Sequence, residues 1–192
     1  RLKENKGCIL MGSHLGSFEV LRCLADSVDH LSLKMLMDAG ASEKFNRHLY
    51  AINPDITLSI IDSTKPDCVF EVDEAIKTGH IVGILGDRVM TKERSIQCNF
   101  LGHKADFPTG PMLMASILKV PVVLFFGVYL GGNRYRIIFE VFTDCVETKR
   151  DQRDQDIEMW VKRYVDRLAY YAKRYPYNWF NFYDFWGETN EH

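Results

Sequence analysis

His14 is the residue whose neighbours best equip it to move a proton. It stands in Gly12-Ser13-His14-Leu15-Gly16, after the apolar run Cys8–Met11, which reads as a buried strand. A helix is predicted to open at Ser17 as N-cap, with Val20, Leu21, Leu24 and Val28 on its apolar face. Glu19 follows the histidine by five positions. On an unbroken helix that spacing turns one side chain about 140° from the other, so the histidine must precede the helix for the two to meet. With Glu19 in the first turn, its carboxylate can reach back to one imidazole nitrogen, fix the tautomer and leave the other nitrogen facing out as a base. A capping carboxylate beside a polar loop histidine has the same spacing, and residue types alone leave both readings open.

Arg88 is the second candidate. It follows Ile84-Leu85-Gly86-Asp87 at a strand end, where a guanidinium can grip a phosphate through two parallel hydrogen bonds. The alternative is a surface arginine paired with Asp87 or Glu93. Thr109 and Gly110, within Phe107-Pro108-Thr109-Gly110-Pro111, either line a substrate pocket or simply start a helix. Backbone N–H groups near Gly16-Ser17 or Thr109-Gly110 are candidate donors to a developing oxyanion. No serine or cysteine sits in a nucleophile elbow, since Ser13 falls one place too early for G-x-S-x-G. His30, His48, His80 and His103 have no partner at metal-ligand spacing, and neither a phosphate-binding loop nor a dinucleotide fingerprint occurs. No metal and no cofactor are expected.

These residues need a frame. Strands are predicted at Leu31–Met37, Thr57–Ile61, His80–Leu85, Val120–Val128 and Tyr135–Phe142, the last two joined as a hairpin through Gly131-Gly132-Asn133. Helices are predicted from Ser42 to Asn53, from a cap at Ser63 or Thr64 to Gly79, after Pro111, and over Ile157–Ala172, where apolar residues repeat at helical spacing. Residues 90–97 read as a polar loop, and 149–156 as a solvated connection. The aromatic stretch Tyr177–Trp186 reads as a half-buried strand closing the core, with a lipid-facing patch as the alternative. Together these predict a single α/β domain over residues 1–192, with a mixed, mostly parallel sheet flanked by helices.

Composition narrows the classes. The 192 residues carry 24 basic and 26 acidic side chains and are 46% hydrophobic, which fits neither a disordered tail nor a nucleic-acid binder held by phosphate contacts. Five scattered cysteines form no C-x-x-C pair and suit reduced thiols. The longest apolar run, Val120–Leu130, is about half the ~20 residues that a bilayer span needs. The chain opens on Arg1 with a strand-like run from Gly7, so a preceding segment, with any anchor it carries, is expected.

Four blocks in order then resemble a known family. His14-Leu15-Gly16-Ser17-Phe18-Glu19 is similar to the His-x4-Asp/Glu motif of the lysophospholipid acyltransferase superfamily. Ile84–Arg88 resembles its second block, Phe107–Pro111 its third, and Val120-Pro121-Val122-Val123 its fourth. Glu19 in place of Asp, and Thr109 where glycerophospholipid enzymes have Glu, resemble the branch of late acyltransferases of lipid A biosynthesis. The resemblance implies transfer of a fatty acyl group from a thioester on acyl carrier protein or coenzyme A to a hydroxyl of a lipid or glycolipid. It implies His14 as base, Glu19 as its orienting partner, and Arg88, Ser17, Thr109 and Gly110 as substrate contacts. It further implies work at the cytoplasmic face of a bacterial inner membrane, and an acyl tunnel lined by residues such as Val122, Leu124 and Phe126. A thioester or lipid ester hydrolase and a noncatalytic lipid-binding module are the rival readings.

Overall fold

The computed structural model describes residues 7–18, 20–21, 32–38, 60–90 and 93–187. Among the described residues eight strands run in chain order: β1 (Cys8–Gly12), β2 (Leu33–Met37), β3 (Ile60–Asp62), β4 (Ile81–Leu85), β5 (Ser95–Phe100), β6 (His103–Pro108), β7 (Val122–Tyr129) and β8 (Tyr135–Thr143). The α-helices described in full are α1 (Cys68–Lys77), α2 (Gly110–Leu118) and α3 (Arg153–Arg174). Six strands hydrogen-bond in the order β3-β2-β4-β1-β7-β8, and β5 pairs with β6. The sheet is mixed and mostly parallel, as expected. The predicted helix after Ser42 and the continuation of the one after Ser17 lie outside the described residues.

The chain divides into two compact units. In the first, residues 1–10 and 22–84, β2 pairs in parallel with both β3 and β4. β4 is a continuous apolar run, which suits a strand covered on both faces. α1 buries Val72, Ala75 and Ile76. Its start differs from the expected cap: Asp62 instead accepts from the backbone and hydroxyl of Thr64, making a separate turn, and the helix opens only at Cys68.

The second unit, residues 11–21 and 85–192, carries the antiparallel β7–β8 hairpin. Against its strands α3 buries Ile157, Val161, Tyr164, Val165, Leu168, Tyr171 and Ala172. Arg167 reaches Glu140 of β8 through two bonds of 2.7 and 2.8 Å, and Tyr171 adds a third. These donors hold the Glu140 carboxyl below its ordinary range, with burial acting the other way.

Two expectations fail here. Residues 95–97 belong to a strand, not a loop: Ser95–Phe100 pairs with His103–Pro108 around a tight Leu101-Gly102 turn with both φ positive. The strand alternates Ile96, Cys98 and Phe100 with polar residues, and its polar half disguised it as a connection. The aromatic stretch is likewise not a strand. It is a 3-10 turn, Pro176–Asn178, followed by an extended strap whose only bridge in the described region joins Trp179 to Leu15. Phe185 is buried against Phe100, Phe107 and Trp179, whereas Tyr177 and Phe182 are 96% and 89% exposed. The stretch thus contributes Phe185 to the core and leaves Tyr177 and Phe182 open.

A close approach fixes the segment after His14. Gly16 has φ +80°, and a Cβ there would lie 2.3 Å from the Gly127 carbonyl oxygen of β7. Gly16→Ala combines left-handed strain with a backbone clash and should cost roughly 2 kcal/mol or more in urea unfolding. Gly131→Ala, also at positive φ but with open space around the added carbon, should cost only about 1 kcal/mol.

Candidate active site

His14 follows β1 and Asp87 follows β4, and these strands are neighbours in the sheet order. The Gly86 N–H donates to the Gly12 carbonyl at 3.1 Å, holding the two strand ends together. Asp87 then meets His14 twice. The His14 backbone N–H donates to Oδ2 at 2.9 Å, and Nδ1 lies 3.0 Å from Oδ1. Asp87 has no exposed surface, while the His14 side chain keeps 28% of its own. A carboxylate accepts, so the hydrogen belongs on Nδ1 and the lone pair on Nε2. The arrangement is an oriented base with one nitrogen anchored in the protein. Glu19, the partner expected from the spacing, lies outside the described residues.

The loop that presents His14 is fixed from three sides. The Tyr164 hydroxyl of α3 donates to the Gly12 carbonyl at 2.9 Å, and complete burial pushes its pKa well up, so it stays a donor. Buried Ser13 accepts from the Leu15 N–H and forms a local turn. The strap binds on the remaining side: Gly16 N–H donates to Asn178 O at 2.7 Å, and Phe180 N–H donates to His14 O at 2.9 Å. Asn178 is itself clamped to the end of β7, accepting from Tyr129 N–H at 2.7 Å and donating to Tyr129 O at 3.2 Å.

Arg88 sits beside this centre but pairs with neither Asp87 nor Glu93. Its Nε donates to Asn181 Oδ1 at 2.7 Å, an Nη donates to Phe180 O at 2.9 Å, and the guanidinium lies over the Tyr183 ring. Asn181 in turn donates to Asp87 Oδ2 at 3.4 Å. Thr109 stands at the N-cap position of α2 without a side-chain capping bond, and both its N–H and its hydroxyl donate to Arg94 O. Gly110 makes room for Glu93, whose carboxyl would lie 2.8 Å from an added Cβ and whose pKa is raised by burial. Thr109 thus bonds to Arg94 and Gly110 lies close to the Glu93 carboxyl.

Two sequence expectations need correction. The N–H groups of Gly16, Ser17 and Thr109 are already committed to carbonyls, Ser17 to Gly127 O at 2.8 Å, so none of the three is open to an oxyanion. Val122, Leu124 and Phe126 are fully buried and fill the core, which leaves an acyl chain no surface on them. A polar cleft of about 180 Å³ lies instead beside Val89, Lys104, Asp106, Tyr183 and Asp184. Burial raises the thiols of Cys8, Cys68 and Cys98, the last to about 11, so none is a ready nucleophile near neutral pH. Among the described residues no group of three or more His, Cys, Asp and Glu side chains could hold a metal ion, and no helix is long and apolar enough to cross a membrane.

Asp87, Asn181 and Tyr164 were missed as site residues in the sequence. Asp87 carried a usable signal, because an apolar strand ending in Gly-Asp beside one ending in Gly-Ser-His places polar groups at neighbouring strand ends. Asn181 and Tyr164 carried none, being separated from His14 by most of the chain.

The family model for bacterial lipid A biosynthesis acyltransferases matches residues 1–187. A search among curated proteins finds no match.

The Asp87 contact makes a prediction that needs no substrate. Nitrogen NMR of the histidine rings should show His14 with its hydrogen on Nδ1, and Asp87→Asn should lose that preference, because an amide can present either a donor or an acceptor to the ring. A mixed tautomer in the parent protein would contradict the assignment.

Proposed function

We propose that this chain, which belongs to the bacterial lipid A biosynthesis acyltransferases, uses His14 as general base to move a fatty acyl group from a thioester to a lipid hydroxyl. The family carries the coarse statement, a lipid acyltransferase. The observation that supports the mechanism is the buried Asp87 on Nδ1 of a histidine whose ring remains partly open.

A hydroxyl is a weak nucleophile near neutral pH, and a thioester carbonyl is a good electrophile. Nε2 of His14 removes the hydroxyl proton as the oxygen attacks the carbonyl carbon. The tetrahedral intermediate collapses with loss of the thiolate, and the imidazolium returns the proton to that sulfur. The ester forms, the thioester breaks, and the base is regenerated without an acyl-enzyme. Asp87 holds the ring and stabilises the imidazolium. Glu19, from the His-x4-Glu motif, is the orienting carboxylate of the His14–Glu19 dyad, and Asp87 adds a second carboxylate from β4's end.

The donor in this reading is acyl carrier protein or coenzyme A, and the acceptor a glycolipid or lipid at the cytoplasmic face of a bacterial inner membrane. The exposed Tyr177 and Phe182 suit that surface, because aromatic rings favour the membrane–water boundary. Arg88, joined to Asp87 through Asn181, is the cation offered to a phosphate of either substrate, with Ser17, Thr109 and Gly110 kept as substrate contacts from the motif reading.

Purified protein given an acyl thioester and lipid acceptors should form a new ester, and His14→Ala should lower that rate by at least ~10² while the protein still folds, with some loss of melting temperature because Asp87 loses its ring partner. Glu19→Gln and Asp87→Asn, measured beside it, rank the two carboxylates. Rapid release of free fatty acid without acceptor would point to a hydrolase, and unchanged transfer by His14→Ala would remove the mechanism.

A further inference from the structure

We propose that Asn181 is a positioning residue for the His14 base, its side-chain amide linking the Arg88 guanidinium to the Asp87 carboxylate and so setting how Asp87 holds the imidazole. This rests on the reading of His14 as general base.

The amide stands between a group that only donates and one that, as a carboxylate, only accepts. Arg88 Nε donates to its oxygen at 2.7 Å, which fixes the orientation of the amide plane. The nitrogen then donates to Asp87 Oδ2 at 3.4 Å, a long hydrogen bond. That same Oδ2 accepts from the His14 backbone, while Oδ1 faces the ring. Asp87 is completely buried, and a buried carboxylate relies on each donor it has. Asn181 supplies the donor that comes from the strap rather than from His14 itself.

The side-chain chemistry is selective. Aspartate at this position would satisfy Arg88 but oppose Asp87, alanine would serve neither, and glutamine would push the amide past the gap. The backbone around Asn181 is held by the site it serves, since Phe180 donates to His14 O and accepts from Arg88. Among the described residues, the charged and titratable groups facing Asp87 and His14 are Arg88, Tyr164 of α3 and Tyr183 of the strap. Tyr164 and Tyr183 are both pushed up by burial and remain neutral. The balance between Arg88 and Asp87 is thus the one Asn181 can alter.

Asn181→Asp puts a second negative charge beside Asp87, which favours the imidazolium. The His14 midpoint should rise by about one unit, as should the acid limb of kcat/KM, so the rate falls about tenfold below the parent limb and recovers at higher pH. Asn181→Ala removes both the donor to Asp87 and the acceptor of Arg88 without adding charge, and should move the midpoint in the same direction by less, which covers the case in which the Asp variant fails to fold. The midpoint is read by proton–carbon NMR of the histidine rings, with His14 assigned by difference from His14→Gln. A folded Asp or Ala variant whose His14 titrates as in the parent overturns the proposal. The titration needs no thioester, so a parent protein without transferase activity would overturn the proposed function separately.

Discussion

The site depends on one carboxylate removed from water. Asp87 binds both the backbone and the ring of the same histidine, so where the main chain goes, the imidazole follows. A surface carboxylate would be screened and free to choose partners, and its hold on a ring would be weak. Buried at the end of β4, Asp87 has donors in fixed positions, and the orientation of the histidine becomes a property of the sheet rather than of the loop. The glycines around it serve that end: Gly12 carries its carbonyl to both Gly86 and Tyr164, and a Cβ there would strike Phe18.

The aromatic strap is the second constraint. Its inner edge completes the hydrogen bonding of the His14 loop, and its outer face is open aromatic surface. Asn178 and Asn181 divide the inner work: one secures the strap to β7, and the other lies between Arg88 and Asp87. Arg88, expected from its motif to face a substrate phosphate, spends two donor positions in holding this segment. The substrate contact proposed for Arg88 would therefore share the guanidinium with these structural bonds.

The α/β class was legible because apolar runs such as Ile81–Leu85 and Val122–Val128 have little other use than buried strands. The long amphipathic α3 was equally plain from its spacing. The β5 strand was not, because its exposed face is polar enough to look like a loop until its pairing with β6 is known. In the site, His14 and Arg88 could be named from local context, since glycine-flanked polar residues after apolar strands have few other reasons to be there. Their contacts could not. Asp87 meets His14 through strand adjacency, hinted at only by two polar strand ends, whereas Tyr164 meets Gly12 through helix packing and Asn181 meets Asp87 from the strap, long-range facts that no local spacing encodes. The expected oxyanion donors failed for a related reason: a backbone N–H looks open in sequence until the neighbouring strand or strap claims it.

The strap also bears on the order in which the site is assembled. Translation delivers His14 and Asp87 long before Asn178 and Asn181, so a nascent chain holds the imidazole and its anchor while the His14 loop still lacks its outer brace. The imidazole gains its full set of restraints only after α3 has emerged and the aromatic segment has folded back, so the last brace on the ring comes from the segment made after α3.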